Sequence, residues 1–146
     1  MNSDQSQESR RNRLALLNEA SKRIDEQFIS ALVDNFYSNI QNHELLGPIF
    51  DERINGNWDP HLSKMKDFWS SIVLYTRKYS GEPMQAHLKL SAITESHFEA
   101  WLELFEQTLK ELSSDDEVRE LFMHKAKNIS RSIQAAISAE RSTVTL

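Results

Sequence analysis

The chain has 146 residues, 39% of them hydrophobic and 27% charged, with a net charge of −5. That length and balance fit one soluble globular domain with a real core, and the acidic charge argues against nucleic acid as the main partner. With no cysteine in the chain, disulfides, zinc–thiolate sites, iron–sulfur clusters and CxxCH haem attachment are excluded.

No run approaches the ~20 apolar residues that span a bilayer, so no membrane role is expected. Arg10, Arg11 and Arg13 before Leu14-Ala15-Leu16-Leu17 faintly resemble a signal peptide, but Asn18, Glu19 and Lys22 end the apolar part too soon. The expected compartment is the cytoplasm. Three glycines and three prolines all fall between residues 47 and 83, too few turn residues for a hairpin-rich β fold. The fold class is all-α.

Residues 1–24 form an N-terminal extension, with 1–8 disordered and a short helix over 9–22. A helix from Asp25 to about Asn42 carries Phe28, Ile29, Leu32, Val33, Phe36, Tyr37 and Ile40 on one face. Gly47-Pro48 in HELLGPIF then breaks the chain, and Ile49 and Phe50 tuck back into the core. Asp59 as cap and Pro60 in the first turn start the next helix, whose apolar face holds His61, Met65, Phe68, Trp69 and Ile72. A loop over 76–81 leads to a short helix opened by Pro83 and carrying His87, followed by Leu90 and Ile93. Ser91 or Thr94 begins a helix with Phe98, Trp101, Leu102, Phe105 and Leu109 inward. Residues 113–116 cap the last helix, which buries Val118, Leu121, Phe122, Ile129 and Ile133 and runs to about residue 139. The core domain is 25–139, and 140–146 is a frayed tail.

His43, His97 and His124 sit among charged or loop-forming neighbours and are assigned no role. His61 and His87 sit on short helical stretches whose other inward residues are large and apolar. A neutral imidazole is a common metal ligand and the usual protein ligand of haem iron. Two such histidines without further ligands do not make a closed zinc site. A porphyrin supplies four ligands itself and asks the protein for one imidazole and an apolar slot. Phe36, Phe50, Met65, Phe68, Trp69, Leu90, Ile93, Phe98 and Trp101 are the candidate walls. On the residues alone, a haem pocket and a plain helical bundle both stay open.

The stretches NFYSNI, LLGPIF, WDPHLSKMKDFWSS, YSGEPMQAHLKL and HFEAWLELFEQT, in this order and spacing, resemble the group III truncated haemoglobins of bacteria. The resemblance covers about residues 25–138. It implies a truncated globin fold, a two-over-two helical sandwich around a non-covalent haem b. It implies His87 as the iron ligand, with Tyr37, His61 and Trp101 on the distal side and Trp69 packing beside the haem. Lys64, Arg77 and Tyr79 are candidate partners for the propionates. The activity implied is reversible binding of O₂, with NO or CO as further ligands. Donors aimed at the negative end of a polarised ligand contribute roughly 1.5–3 kcal/mol each, which makes O₂ release slow. The alternatives are NO dioxygenation or a peroxidase-like reaction, fed by a separate reductase, and a haem-free helical interaction module. A monomer or weak homodimer is expected. Asn128-Ile129-Ser130 fits a glycosylation sequon that a cytoplasmic chain would not use.

Overall fold

The structure is a computed structural model that describes residues 3–78 and 93–144. The expected Pro83 helix, with Tyr79, His87 and Leu90, lies outside the described residues. Among the described residues there are six helices and no strand: α1 (Ser3–Ser21), α2 (Glu26–Gln41), α3 (Leu46–Ile54), α4 (Trp58–Leu74), α5 (Glu95–Leu112) and α6 (Asp116–Val144). α2 packs on α4, α5 packs on α6, and α2 also packs against α5, so two helix pairs face each other; α3 spans α2 and α5.

The start of α2 follows from Asp25, whose carboxylate accepts the Phe28 N–H at 2.8 Å and satisfies a donor the helix cannot. Ile29, Leu32, Val33, Phe36, Tyr37 and Ile40 are all buried along its inner face, as the 3–4 spacing predicts. Gly47-Pro48 does not end in a loop. It lies inside the first turn of α3, where proline lacks only an N–H that would have no helical partner. The break comes earlier, at residues 42–45, where His43 Nδ1 accepts the N–H groups of Leu45 and Leu46 at 3.1 and 3.2 Å. Gly47 is there because α3 begins against the end of α2. A Cβ on it would sit 2.9 Å from the Gln41 carbonyl oxygen and 3.3 Å from that of Ile40.

The cap of α4 is Asn57 rather than Asp59, and Pro60 again falls in the first turn. Tyr75 ends α4 in the left-handed conformation (φ 59°) and turns the chain back toward the first turn of α2. There the buried Ser70 hydroxyl donates to Glu26 Oε1 at 2.6 Å and lies 2.9 Å from the Thr76 hydroxyl, while Lys78 Nζ reaches the same carboxylate at 3.0 Å. The Ser70 hydrogen bond, then Lys78, holds the Glu26 carboxyl below its usual range.

The centre of the core is Phe105. Trp69 stacks with it at 5.0 Å and 18°, Trp101 at 5.7 Å and 1°, and Phe36 meets it edge-on at 4.9 Å. Such pairs contribute about 0.5–1.5 kcal/mol each beyond area burial. Asn39 Nδ2 donates to the buried Thr108 hydroxyl at 3.0 Å, which ties α2 to α5.

Both chain ends are more helical than the sequence predicts. α1 starts at Ser3, and α6 continues to Val144. The extension joins the core: α1 lies along α6 and buries Leu17 and Ala20, with Ile24 just beyond it, in the same cluster as Val118, Leu121 and Phe122. Its polar residues are carried into helix by that anchor. Arg13 pairs with Glu120, and Arg23 Nε reaches Asp115 Oδ2 at 2.8 Å. Asp115 caps α6 by accepting the N–H groups of Glu117 and Val118.

Replacing Gly47 with alanine is expected to lower stability by about 1–3 kcal/mol, because backbone, unlike a side-chain tip, cannot move aside cheaply. The urea midpoint of Gly47→Ala against the parent chain measures this; an unchanged midpoint would show that the α2–α3 approach has slack.

Candidate functional site

A cavity of about 550 Å³ opens between the helices. α4 contributes His61, Lys64, Met65, Phe68 and Trp69, which fall on one helical face through their 3–4 spacing. α3 adds Ile49, Phe50 and Arg53, and α2 adds Tyr37. The opposite side is built from Ile93, His97, Phe98 and Trp101, with Ile129, Ser130 and Ile133 from α6. The walls are aromatic and aliphatic, with a few polar side chains among them.

Tyr37 is 5% exposed, and burial pushes its hydroxyl well above the ordinary tyrosine range. The phenol therefore keeps its proton and remains a donor at any physiological pH. His61 meets the Tyr37 ring edge-on at 4.9 Å and 83°, and Trp58 meets His61 at 6.3 Å and 89°. Its Nε2 is shielded from solvent. The ring lies against Tyr37, in the cavity wall. Trp101 is half-buried and lines the cavity from the other side.

Among the described residues the lining contains no aspartate or glutamate, although the chain carries 22 of them. It does contain Arg53 and Lys64, both exposed. The cavity of an acidic chain thus has a positive mouth.

The structure brings together Tyr37, Phe50, His61, Lys64, Met65, Phe68, Trp69, Ile93, Phe98 and Trp101 of the residues singled out from sequence. Phe36 lies behind the wall, buried against Tyr37 and Trp101 at 5.3 and 5.7 Å. Arg77 is exposed and absent from the lining. Its neighbour Lys78 is tied to Glu26, eleven residues and about 16 Å along α2 from Tyr37. Tyr79, His87 and Leu90 lie outside the described residues.

Of the lining residues, sequence reading missed Arg53, Asn57, His97 and Ser130. Arg53 stands three residues after Phe50, a spacing that counts only once α3 is known to be a helix. His97 stands four before Trp101, so its helical face was legible. Ile129 and Ile133 were read as buried, and periodicity cannot separate a core wall from a cavity wall.

The chain matches the bacterial-like globin family over residues 24–135. It is 31% identical over 114 residues to the group 3 truncated haemoglobin ctb of Campylobacter jejuni, covering 76% of this chain and 89% of that protein. Against the group 2 truncated haemoglobin YjbI of Bacillus subtilis the identity is 25% over 117 residues, covering 80% of this chain and 89% of the other. The crystal structure of the group III truncated haemoglobin from Campylobacter jejuni superposes with a TM-score of 0.74 at 30% identity, covering 78% of this chain and 91% of that one. The two facing helix pairs around an apolar cavity are therefore a truncated globin fold, and the chain belongs to the bacterial-like globin family as a group III truncated haemoglobin.

The raised Tyr37 value has a consequence for stability. A group whose folded value exceeds its unfolded one contributes fully below the unfolded value, near pH 10 for tyrosine, and loses that contribution as pH rises toward the folded one. Unfolding free energy should fall above pH 10 with a Tyr37 share of at most roughly 1.4 kcal/mol per pH unit. Urea unfolding between pH 9 and 11.5 should show a shallower fall for Tyr37→Phe than for the parent; equal slopes would mean the hydroxyl ionises in place.

Proposed function

We propose that the chain binds haem b in this cavity and uses it to hold O₂, and other diatomic ligands such as NO and CO, reversibly. The supporting observation is the lining itself: an apolar cavity, free of carboxylates among the described residues, with a buried, protonated tyrosine hydroxyl inside and two cations at its mouth. Its volume of about 550 Å³ lies within the roughly 300–1,000 Å³ usual for cofactor sites. A flat apolar ring with an anionic edge fits that pattern; a polar or cationic cofactor does not. When bound, the haem iron supplies a coordination position at which a diatomic molecule is held and released.

The protein's own residues do the rest. His87 is assigned as the iron ligand on the motif GEPMQAHLKL. Tyr37 Oη and Trp101 Nε1 present protons toward a polarised ligand; indole nitrogen can only donate, and the Tyr37 hydroxyl stays protonated. His61, against the Tyr37 ring, donates from whichever nitrogen carries its proton. In a dry cavity of low effective dielectric these donors act more strongly than they would in water. Met65, Phe68 and Trp69 keep water out. Arg53 and Lys64 neutralise the propionates.

The His61–Tyr37 contact also suits a second reading, in which His61 moves a proton during NO dioxygenation or a peroxidase-like reaction, with electrons from a separate reductase. Mixing the oxygenated protein with NO separates the two: stoichiometric nitrate on mixing favours the enzyme, and slow or absent oxidation favours reversible binding.

Protein purified with added haem should show a sharp Soret band in ferric, ferrous and ferrous–CO forms, and His87→Ala should lose both haem and band. A parent chain that takes up no haem would leave the haem-free interaction module standing. Separately, Tyr37→Phe should speed O₂ release about 10-fold or more, since one charge-assisted hydrogen bond is worth at least a tenfold change. Stopped-flow displacement by CO reads this directly, and an unchanged off-rate would remove Tyr37 from the distal donors.

A further inference from the structure

His97 was set aside in the sequence because its neighbours are charged, yet it lines the cavity in the first turn of α5. One of its nitrogens is committed. The Thr94 backbone N–H points at Nδ1 from 3.1 Å, and the Thr94 hydroxyl lies 2.8 Å from the same atom. A backbone N–H can only donate, so Nδ1 must be an acceptor and the neutral ring carries its proton on Nε2. Thr94 therefore fixes both the orientation of the imidazole and its tautomer.

Capping alone does not call for a histidine. The reciprocal cap at this position is usually made by glutamate or glutamine, and a carboxylate would also complement the positive end of the helix dipole. A glutamate would cap α5 at least as well but would turn a negative charge toward the cavity. The histidine caps equally and leaves an N–H donor on its far side. That agrees with the rest of the lining, which holds Arg53 and Lys64 and, among the described residues, no carboxylate. Ser130, the polar residue on the same side, already accepts from Gln134 Nε2 at 2.9 Å.

We infer that His97 donates its Nε2–H to a propionate carboxylate of the bound haem and so helps to fix the orientation of the macrocycle in the cavity. This rests on the haem reading above and adds a residue and an atom to it. The acceptor is an anion supplied by the cofactor's edge, and Thr94 sets the direction of the donor.

The test compares two porphyrins. The parent chain, His97→Glu and His97→Gln are each loaded with iron protoporphyrin IX or with its dimethyl ester, which has no carboxylate. Loss to excess apomyoglobin is then timed. Both variants keep a capping side chain for Thr94. His97→Glu should release iron protoporphyrin IX about 10-fold or more faster than the parent, the effect of one charge-assisted bond, and His97→Gln, which retains an amide donor, should change by less than about 3-fold. With the dimethyl ester, His97→Glu and parent should agree within about 2-fold. Equal acceleration with both porphyrins would reduce His97 to a helix cap or packing residue and overturn the inference, as would no acceleration with either. A parent chain that takes up neither porphyrin would instead overturn the haem reading.

Discussion

Protein interiors are close-packed and relax, at least in part, around a gap, so a cavity of this size asks for stiff walls. In this chain the stiff element is the ring cluster on Phe105. Trp69 from α4 and Trp101 from α5 both stack on it, and both also line the cavity. Indole rings have two torsions and wide faces, so each side chain braces the core on one side and forms a wall on the other. Phe36 closes the cluster from α2. The helix pairs are thereby set apart at a distance that the aromatic rings dictate, and the cavity inherits its shape from them.

Electrostatics then decides what such a space accepts. The chain is acidic overall, but among the described residues its carboxylates lie elsewhere: in caps such as Asp25 and Asp115, and in ties such as Glu26 with Ser70 and Lys78. Among the described residues the cavity holds neutral protic groups inside and cations at its mouth. Placing a protonated phenol in the interior and an arginine and a lysine outside sorts the polar groups by depth. Uncharged donors stand where desolvation is greatest, and charges stand where water still reaches them. An apolar ligand with one charged edge is the shape that matches this gradient.

Much of this was legible in the sequence because it is periodic. The buried faces of α2, α4, α5 and α6 appear as apolar residues at 3–4 spacing, and the structure buries those faces. What failed was local chemistry that depends on neighbours. Gly47-Pro48 looks like a breaker in isolation, but the glycine answers to the close approach of α2 and the proline to a first helical turn. With a break and no helix expected after Gly47-Pro48, Arg53 had no face to lie on. The depth of Tyr37 was readable from its place in the α2 pattern, whereas the line between core and cavity at Ile129 and Ile133 was not, since burial alone satisfies the same periodicity. Arg77 looked available because it is basic and close in sequence to His87, but the left-handed turn at Tyr75 sends that stretch toward Glu26.

The last helix shows how the extension and the site can coexist. α6 is 29 residues long and is loaded at two places. Near its start, Val118, Leu121 and Phe122 receive Leu17 and Ala20 of α1, outside the part that matches the globin family. Further along, Ile129, Ser130 and Ile133 face the cavity. From Phe122 to Ile129 the helix rises about 10 Å, at the edge of the ~7–10 Å within which substitutions normally couple, and Ile129 packs against the same cluster as Leu17 and Ala20. Docking α1 therefore stabilises the base of the α5–α6 pair through packing and the Arg23–Asp115 ion pair, and it does so from behind the cavity wall, through the cluster on which Ile129 rests. A rigid base is what the wall needs: Ile129 and Ile133 can hold their positions against Phe98 only if the helix carrying them is anchored somewhere other than at the cavity itself.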